Sequence, residues 1–136
     1  MADLAITAAD VHINGATASV NRVQFGEAVA AGETVYLRSS DSKYWRADAD
    51  AGSEEATTAG IVVNGNAADG YGLICTSGPI DVGATLTKGT AYAQSDTPGG
   101  IMPVADFDAG DYMTLLGIAT ATDTLDLHIR VTGATF

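Results

Sequence analysis

The cleanest periodicity in the chain is Leu125-Asp126-Leu127-His128-Ile129-Arg130-Val131-Thr132, which alternates apolar and polar without a break. That period of two puts Leu125, Leu127, Ile129 and Val131 on one face of a β-strand. Within Glu33–Arg38, Val35 and Leu37 share a register opposite Tyr36 and Arg38. Short runs rich in β-branched and aromatic residues predict further strands at Val11–Asn14, Val20–Phe25, Gly60–Val63, Gly72–Thr76, Ala91–Gln94 and Leu115–Thr120. Asn14-Gly15, Asn64-Gly65, Asp69-Gly70 and Gly99-Gly100 supply turns that tolerate positive φ. A single helical turn is predicted after Ser53, where Glu54 and Glu55 would sit in its first turn.

The pattern occurs twice. Gly26, Val29, Gly32 and Tyr36 reappear as Gly83, Leu86, Gly89 and Tyr92, 57 positions on at both glycines and 56 at the tyrosines. Ser39 pairs with Ser95, Ala49-Asp50 with Ala105-Asp106, and Gly60-Ile61 with Gly117-Ile118. Each copy closes on an apolar strand ending in Gly, Tyr71–Gly78 and Leu125–Gly133. Residues 1–25 then form an extended N-terminal arm, 26–78 the first copy, 79–82 a connection through the turn-like Ser77-Gly78-Pro79, and 83–136 the second copy. A unit of about 55 residues buries little core alone. The two copies are therefore expected to share one core, as an all-β compact barrel or sandwich made from two tandem pseudo-repeats within one domain, 26–136.

Composition narrows the partners. Six basic against 17 acidic side chains in 136 residues give a formal net charge of −11, a field that repels nucleic-acid phosphates and anionic lipid. The opening residues lack a basic stretch followed by an apolar one, so no export signal is expected, and no run approaches the length of a membrane-spanning helix. Cys75, the only cysteine, lies in an apolar run and reads as a small buried hydrophobe.

No catalytic constellation emerges, and neither a cofactor nor a metal is expected. Asp48-Ala49-Asp50-Ala51-Gly52-Ser53-Glu54-Glu55 has the alternating carboxylates of a calcium loop but lacks its third oxygen position and closing Glu. Asp106-Phe107-Asp108-Ala109-Gly110-Asp111 falls at the matching place in the second copy, which points to a shared loop architecture. His12 and His128 lie on separate predicted strands without a nucleophile motif nearby. The glycine-rich 65–72 stretch lacks the Lys-Ser/Thr of a phosphate loop.

Binding character concentrates between Arg38 and Arg46, where Lys43-Tyr44-Trp45-Arg46 sets the only Trp among basic residues. Aromatic and Arg side chains are favoured interface anchors, and this cluster suits an acidic or carbonyl-rich surface. In the arm, Leu4, Ile6, Val11 and Ile13 are spaced for extended structure and are candidates for strand addition onto a neighbour. On that reading, deletion of residues 1–14 weakens binding and leaves the fold intact.

Gly26-Glu27-Ala28-Val29-Ala30-Ala31-Gly32, Ala59-Gly60-Ile61-Val62 and Leu116-Gly117-Ile118-Ala119 resemble the capsid decoration, or cement, proteins of tailed bacteriophages, over most of residues 26–133. The resemblance implies a β-rich homotrimer made in the host cytoplasm. It would bind the major capsid protein on the exterior of the virion, between capsomers, and hold the shell against internal pressure. The acidic surface and the lack of recognisable chemistry agree with that expectation. Two alternatives carry their own requirements. A receptor- or glycan-binding module of a tail fibre or spike would use Tyr44, Trp45 and Tyr71 as stacking platforms; a small hydrolase would need His128 within reach of a Ser and a buried carboxylate.

Overall fold

The computed structural model describes residues 3–136 and is all-β. Its strands are β1 (Val11–Ile13), β2 (Ser19–Gln24), β3 (Thr34–Arg38), β4 (Lys43–Arg46), β5 (Thr58–Asn64), β6 (Tyr71–Val82), β7 (Ala91–Gln94), β8 (Ile101–Pro103), β9 (Tyr112–Ala119) and β10 (Leu125–Thr135). All belong to one antiparallel sheet in the order β4-β3-β5-β6-β10-β9-β7-β8, with β1 and β2 added along β6, and the sheet curls into a half-barrel. The order is a palindrome. Each copy runs outward through equivalent strands, and the copies meet where β6 pairs with β10.

The duplication is written into the hydrogen bonds. Gly32 N–H donates to Val62 O and Gly89 N–H to Ala119 O, both at 2.8 Å; Val62 N–H returns to Glu33 O and Ala119 N–H to Thr90 O. Every partner in the second set lies 57 positions after its counterpart. Gly32 and Gly89 share positive φ, at 92° and 85°. Val35 faces Gly60 and Tyr92 faces Gly117, with a bulge following each pair. The offset is thus 57 throughout this region, and Tyr92 is the counterpart of Val35. Matching Tyr36 with Tyr92 on residue type slips the register by one.

The predicted strands form, several of them longer than expected. The largest extension is β6, which runs through Gly78-Pro79 to Val82 where a turn and a connection were expected. Gly78 takes a φ of +93° that residues with a side chain rarely adopt, so the strand bends and goes on. Pro79 offers its carbonyl to Asn14 N–H at 2.9 Å. Two strands escaped prediction: β4, in which all four residues are half-buried and so show no alternation, and the three-residue β8 with its Pro. The helical turn expected after Ser53 forms as one isolated turn, closed by Ala56 N–H to Gly52 O, with Thr57 N–H to Glu54 O following it.

β6 is the spine. β5 and β2 flank its first half, and β10 and β1 its second. The main core joins both copies, with Ile61, Cys75, Ile80 and Val82 packed with Leu86, Tyr92, Leu116, Leu125 and Leu127. A second core lies on the other side of the first copy, where Val35, Val62 and Ile74 meet Val23, Phe25 and Val29. No helix among the described residues is long and apolar enough to cross a membrane.

Candidate functional site

The β3–β4 hairpin gathers the residues singled out for binding. Arg38 pairs with Lys43, Leu37 with Tyr44, and Tyr36 with Trp45. Asp41, in the turn between the strands, organises the group. Its carboxylate accepts from Arg38 Nη2 at 2.7 Å, Trp45 Nε1 at 3.1 Å and Lys43 N–H at 3.1 Å. Burial pushes this carboxyl up, but the three donors outweigh it and hold Asp41 below the usual carboxylate range. The Arg38 guanidinium lies 3.7 Å from the centre of the Trp45 ring, a cation–π stack that fixes both side chains. A β-carbon at Gly26 would sit 2.1 Å from Trp45 Nε1, so glycine is what admits the indole.

The other two cations of the hairpin are also paired. Lys43 Nζ bonds Asp69 at 2.6 Å, and that bond raises its pKa. Arg46 reaches Glu27 at 3.2 Å and Glu33 at 3.7 Å. Leu37 remains 48 % exposed on the opposite face of the hairpin. The hairpin therefore holds Arg38 and Trp45 as a rigid, charge-balanced pair on one face and presents Leu37, beside its cross-strand partner Tyr44, on the other; the counterparts of Tyr44 and Trp45 in β8, Ile101 and Met102, are buried outright.

The arm residues lie elsewhere. Val11 and Ile13 pair with Val82 and Ile80 in β1, Leu4 N–H donates to Ile101 O at 2.8 Å, and Leu4 and Ile6 pack on the main core. These four residues thus complete their own sheet, because an uncovered edge of β6 would leave backbone groups and apolar side chains exposed. Deletion of residues 1–14 removes a strand, contrary to the expectation of an intact fold.

Topology also joins the two acidic runs. Ala49 N–H donates to Ser95 O and Tyr112 N–H to Ala49 O, which inserts the first copy's loop into the second copy. Carboxylate oxygens of Asp50, Asp96 and Asp111 fall within 4.8 Å of one another, and these are the residues that could share a proton or a hard cation. Desolvation, then contact with Asp50 and repulsion from Asp96, pushes Asp48 up to about 6. Desolvation and Asp111 also raise Asp96. Sequence reading missed Asp96, which belongs to neither run and reaches them only through the fold.

His12 Nδ1 lies 2.9 Å from Asp10 O, and its Nε2 is 4.0 Å from Asp81. His128 is exposed on β10 opposite Ser77. Neither ring meets a hydroxyl or thiol among the hydrogen bonds of the described residues. Cys75 is buried, and burial pushes its thiol up, away from the reactive thiolate. The Arg22 guanidinium lies 4.4 Å from the centre of the Tyr71 ring.

No protein-family model matches the chain, and no curated protein matches it.

Proposed function

We propose that the protein is a structural virion component that binds the major capsid protein on the outside of a bacteriophage head, between capsomers, and stabilises the shell. The resemblance of the repeat motifs supplies the class; the observation that carries the docking step is the ready-made patch on the β3–β4 hairpin. Its Trp and Arg are immobilised before any partner arrives, by Asp41 and by each other, so association need not order them again. Leu37, on the other face of the same hairpin, adds apolar area that solvent now covers. The mechanism is associative. A subunit that binds the assembled lattice and not its dissociated form stabilises the lattice by mass action, multiplied over many sites.

The same contacts weigh against a glycan-binding module. Sugar platforms need open aromatic faces, and arginines already stand over Trp45 and Tyr71, two of the three candidate rings.

The test is electron microscopy of purified heads with and without the protein, with copy number per head counted. Wild-type protein is expected to occupy lattice positions and to raise the temperature at which heads rupture. Leu37→Asp, at a solvent-facing position, should keep the melting curve of the free protein and lose occupancy. Wild-type protein that leaves heads bare would overturn the proposal; equal occupancy by the variant would move docking off this hairpin.

A further inference from the structure

Counterpart positions in the two copies define two faces of the repeated sheet. One face carries Val35, Val62 and Ile74 in the first copy and Tyr92, Ala119 and Leu125 in the second, since Val62 pairs with Ile74 as Ala119 pairs with Leu125. The opposite face carries the Ile61–Cys75 pair in the first copy and the Ile118–Asp126 pair in the second. Three of these four surfaces are covered: residues 23–29 cap the first copy's Val35 face, while its Ile61 face and the second copy's Tyr92 face meet in the main core. The fourth is open. Ile61 is 0 % exposed, whereas Ile118 is 54 % exposed.

That open face is a groove of about 450 Å³ lined by Ala91, Leu115, Ile118, Asp126, His128 and Arg130, among others. Asp126 and Arg130 make no ion pair or hydrogen bond through their side chains among the described residues. They stand four residues apart on β10, with an irregularity between Leu127 and Arg130, and do not pair with each other. Their charges sum to zero locally, although the chain carries −11. A partner that matches this face must offer a cation opposite Asp126, an anion opposite Arg130 and apolar surface between, in reversed order. The face itself, turned through a two-fold axis, meets that description.

We infer that the outer face of the second copy is a self-association surface, on which a second copy of this chain docks about a two-fold axis near His128. Asp126 then pairs with the partner's Arg130, Arg130 with the partner's Asp126, and the Ile118 side chains leave water together. With so few residues a side, the contact lies at the small end of specific interfaces, so the dimer is concentration-dependent. It leaves the β3–β4 hairpin free on each subunit.

Sedimentation velocity of the full chain, over about two decades of concentration at low salt, tests the inference. The expected result is a monomer–dimer equilibrium, in place of the homotrimer that the resemblance implies. Asp126→Arg or Arg130→Asp alone should weaken it by about tenfold or more, by placing like charges opposite each other, and the double reversal should recover it to within about threefold. Ile118→Asp should leave only monomer. These side chains are exposed, so far-UV circular dichroism and melting of the variants should match wild type. A chain that stays monomeric at every concentration, a dimer indifferent to single reversals, or a trimer in place of a dimer would each overturn the inference.

Discussion

Ile61 and Ile118 follow the same glycine at the same place in a duplicated sheet, yet one is sealed in the core and the other half in solvent. Leu37 and Gln94 invert the contrast. In the first copy the apolar residue is 48 % exposed; in the second, the polar one is 0 % exposed and bonded to Thr58 and to the carbonyls of Ala47 and Ser95. The two copies thus share a backbone plan and differ in what lies against it. The arm is bonded to both, along β6 and at Ile101; residues 23–29 cap the first copy alone, while the second copy's outer face is covered only around Ala93, Met102 and Phe107. The difference teaches that duplication alone does not fix burial; what packs against each copy decides which copies of a position become core and which become surface.

The largest effect should come from removing the wrapping. Without residues 1–14, β6 loses β1, and the apolar contacts of Leu4, Ile6 and Val11 go with it. A loss of roughly 4 kcal/mol is expected, from about 1.5–3 kcal/mol per fully buried aliphatic side chain and less for those partly covered. Chemical denaturation of the truncated chain measures it. A midpoint equal to that of the full chain would show that the arm adds nothing to the fold.

Next in size is the same substitution made at both counterpart positions. Ile61→Ala should cost about 2–5 kcal/mol, because it opens a cavity in the shared core. Ile118→Ala should stay within about 0.5 kcal/mol, as surface changes do. Urea midpoints of the two variants, measured side by side, decide whether the copies differ as described. Equal losses would collapse the contrast.

Gln94→Leu probes the inverted pair. The leucine conserves bulk but leaves the Thr58 hydroxyl and the Ala47 carbonyl without this partner in the interior, for a cost of about 1–3 kcal/mol. Leu37→Gln, the exchange at the counterpart, should be nearly neutral to stability in the same denaturation experiment.

The legible part of this molecule is the part governed by local pattern. Alternation gave away β10 and β3, and spaced glycines revealed the duplication because Gly32 and Gly89 fill the same positive-φ position. Residue identity misled where backbone register rules, as when Tyr36 was aligned with Tyr92. The hairpin cluster at Arg38–Arg46 was visible as composition, but its organiser, Asp41, was not, since nothing in the sequence says that one carboxylate will accept from three neighbours. The arm looked free because extended apolar spacing is the same whether a strand pairs with its own sheet or another chain's. The open face of the second copy was hidden for a related reason. Leu125–Thr132 reads as half-buried, and only the tertiary arrangement shows that nothing within the described chain covers Ile118.

The smallest predicted effect concerns the acidic loops, where both copies contribute carboxylates to a common cluster. Asp48 is held at about 6 in the folded protein against an ordinary value of 3.8. Between these values the folded state binds a proton that the unfolded chain has released, so stability falls as pH rises from about 4 to about 6 and stays reduced above that. Acidification from pH 7 to pH 5 should therefore raise the melting temperature, unlike the behaviour of a protein whose carboxylates are salt-bridged. Asp48→Asn keeps an oxygen to accept from Asp50 N–H and removes the charge. It should stabilise the protein at pH 7 by about 1 kcal/mol, less than the full shift implies because water partly screens the site, and it should flatten the melting profile over the same interval. A variant whose profile stays as steep as wild type would assign the dependence to Asp96, the other group raised by this cluster, and would place the strain in the second copy's loop.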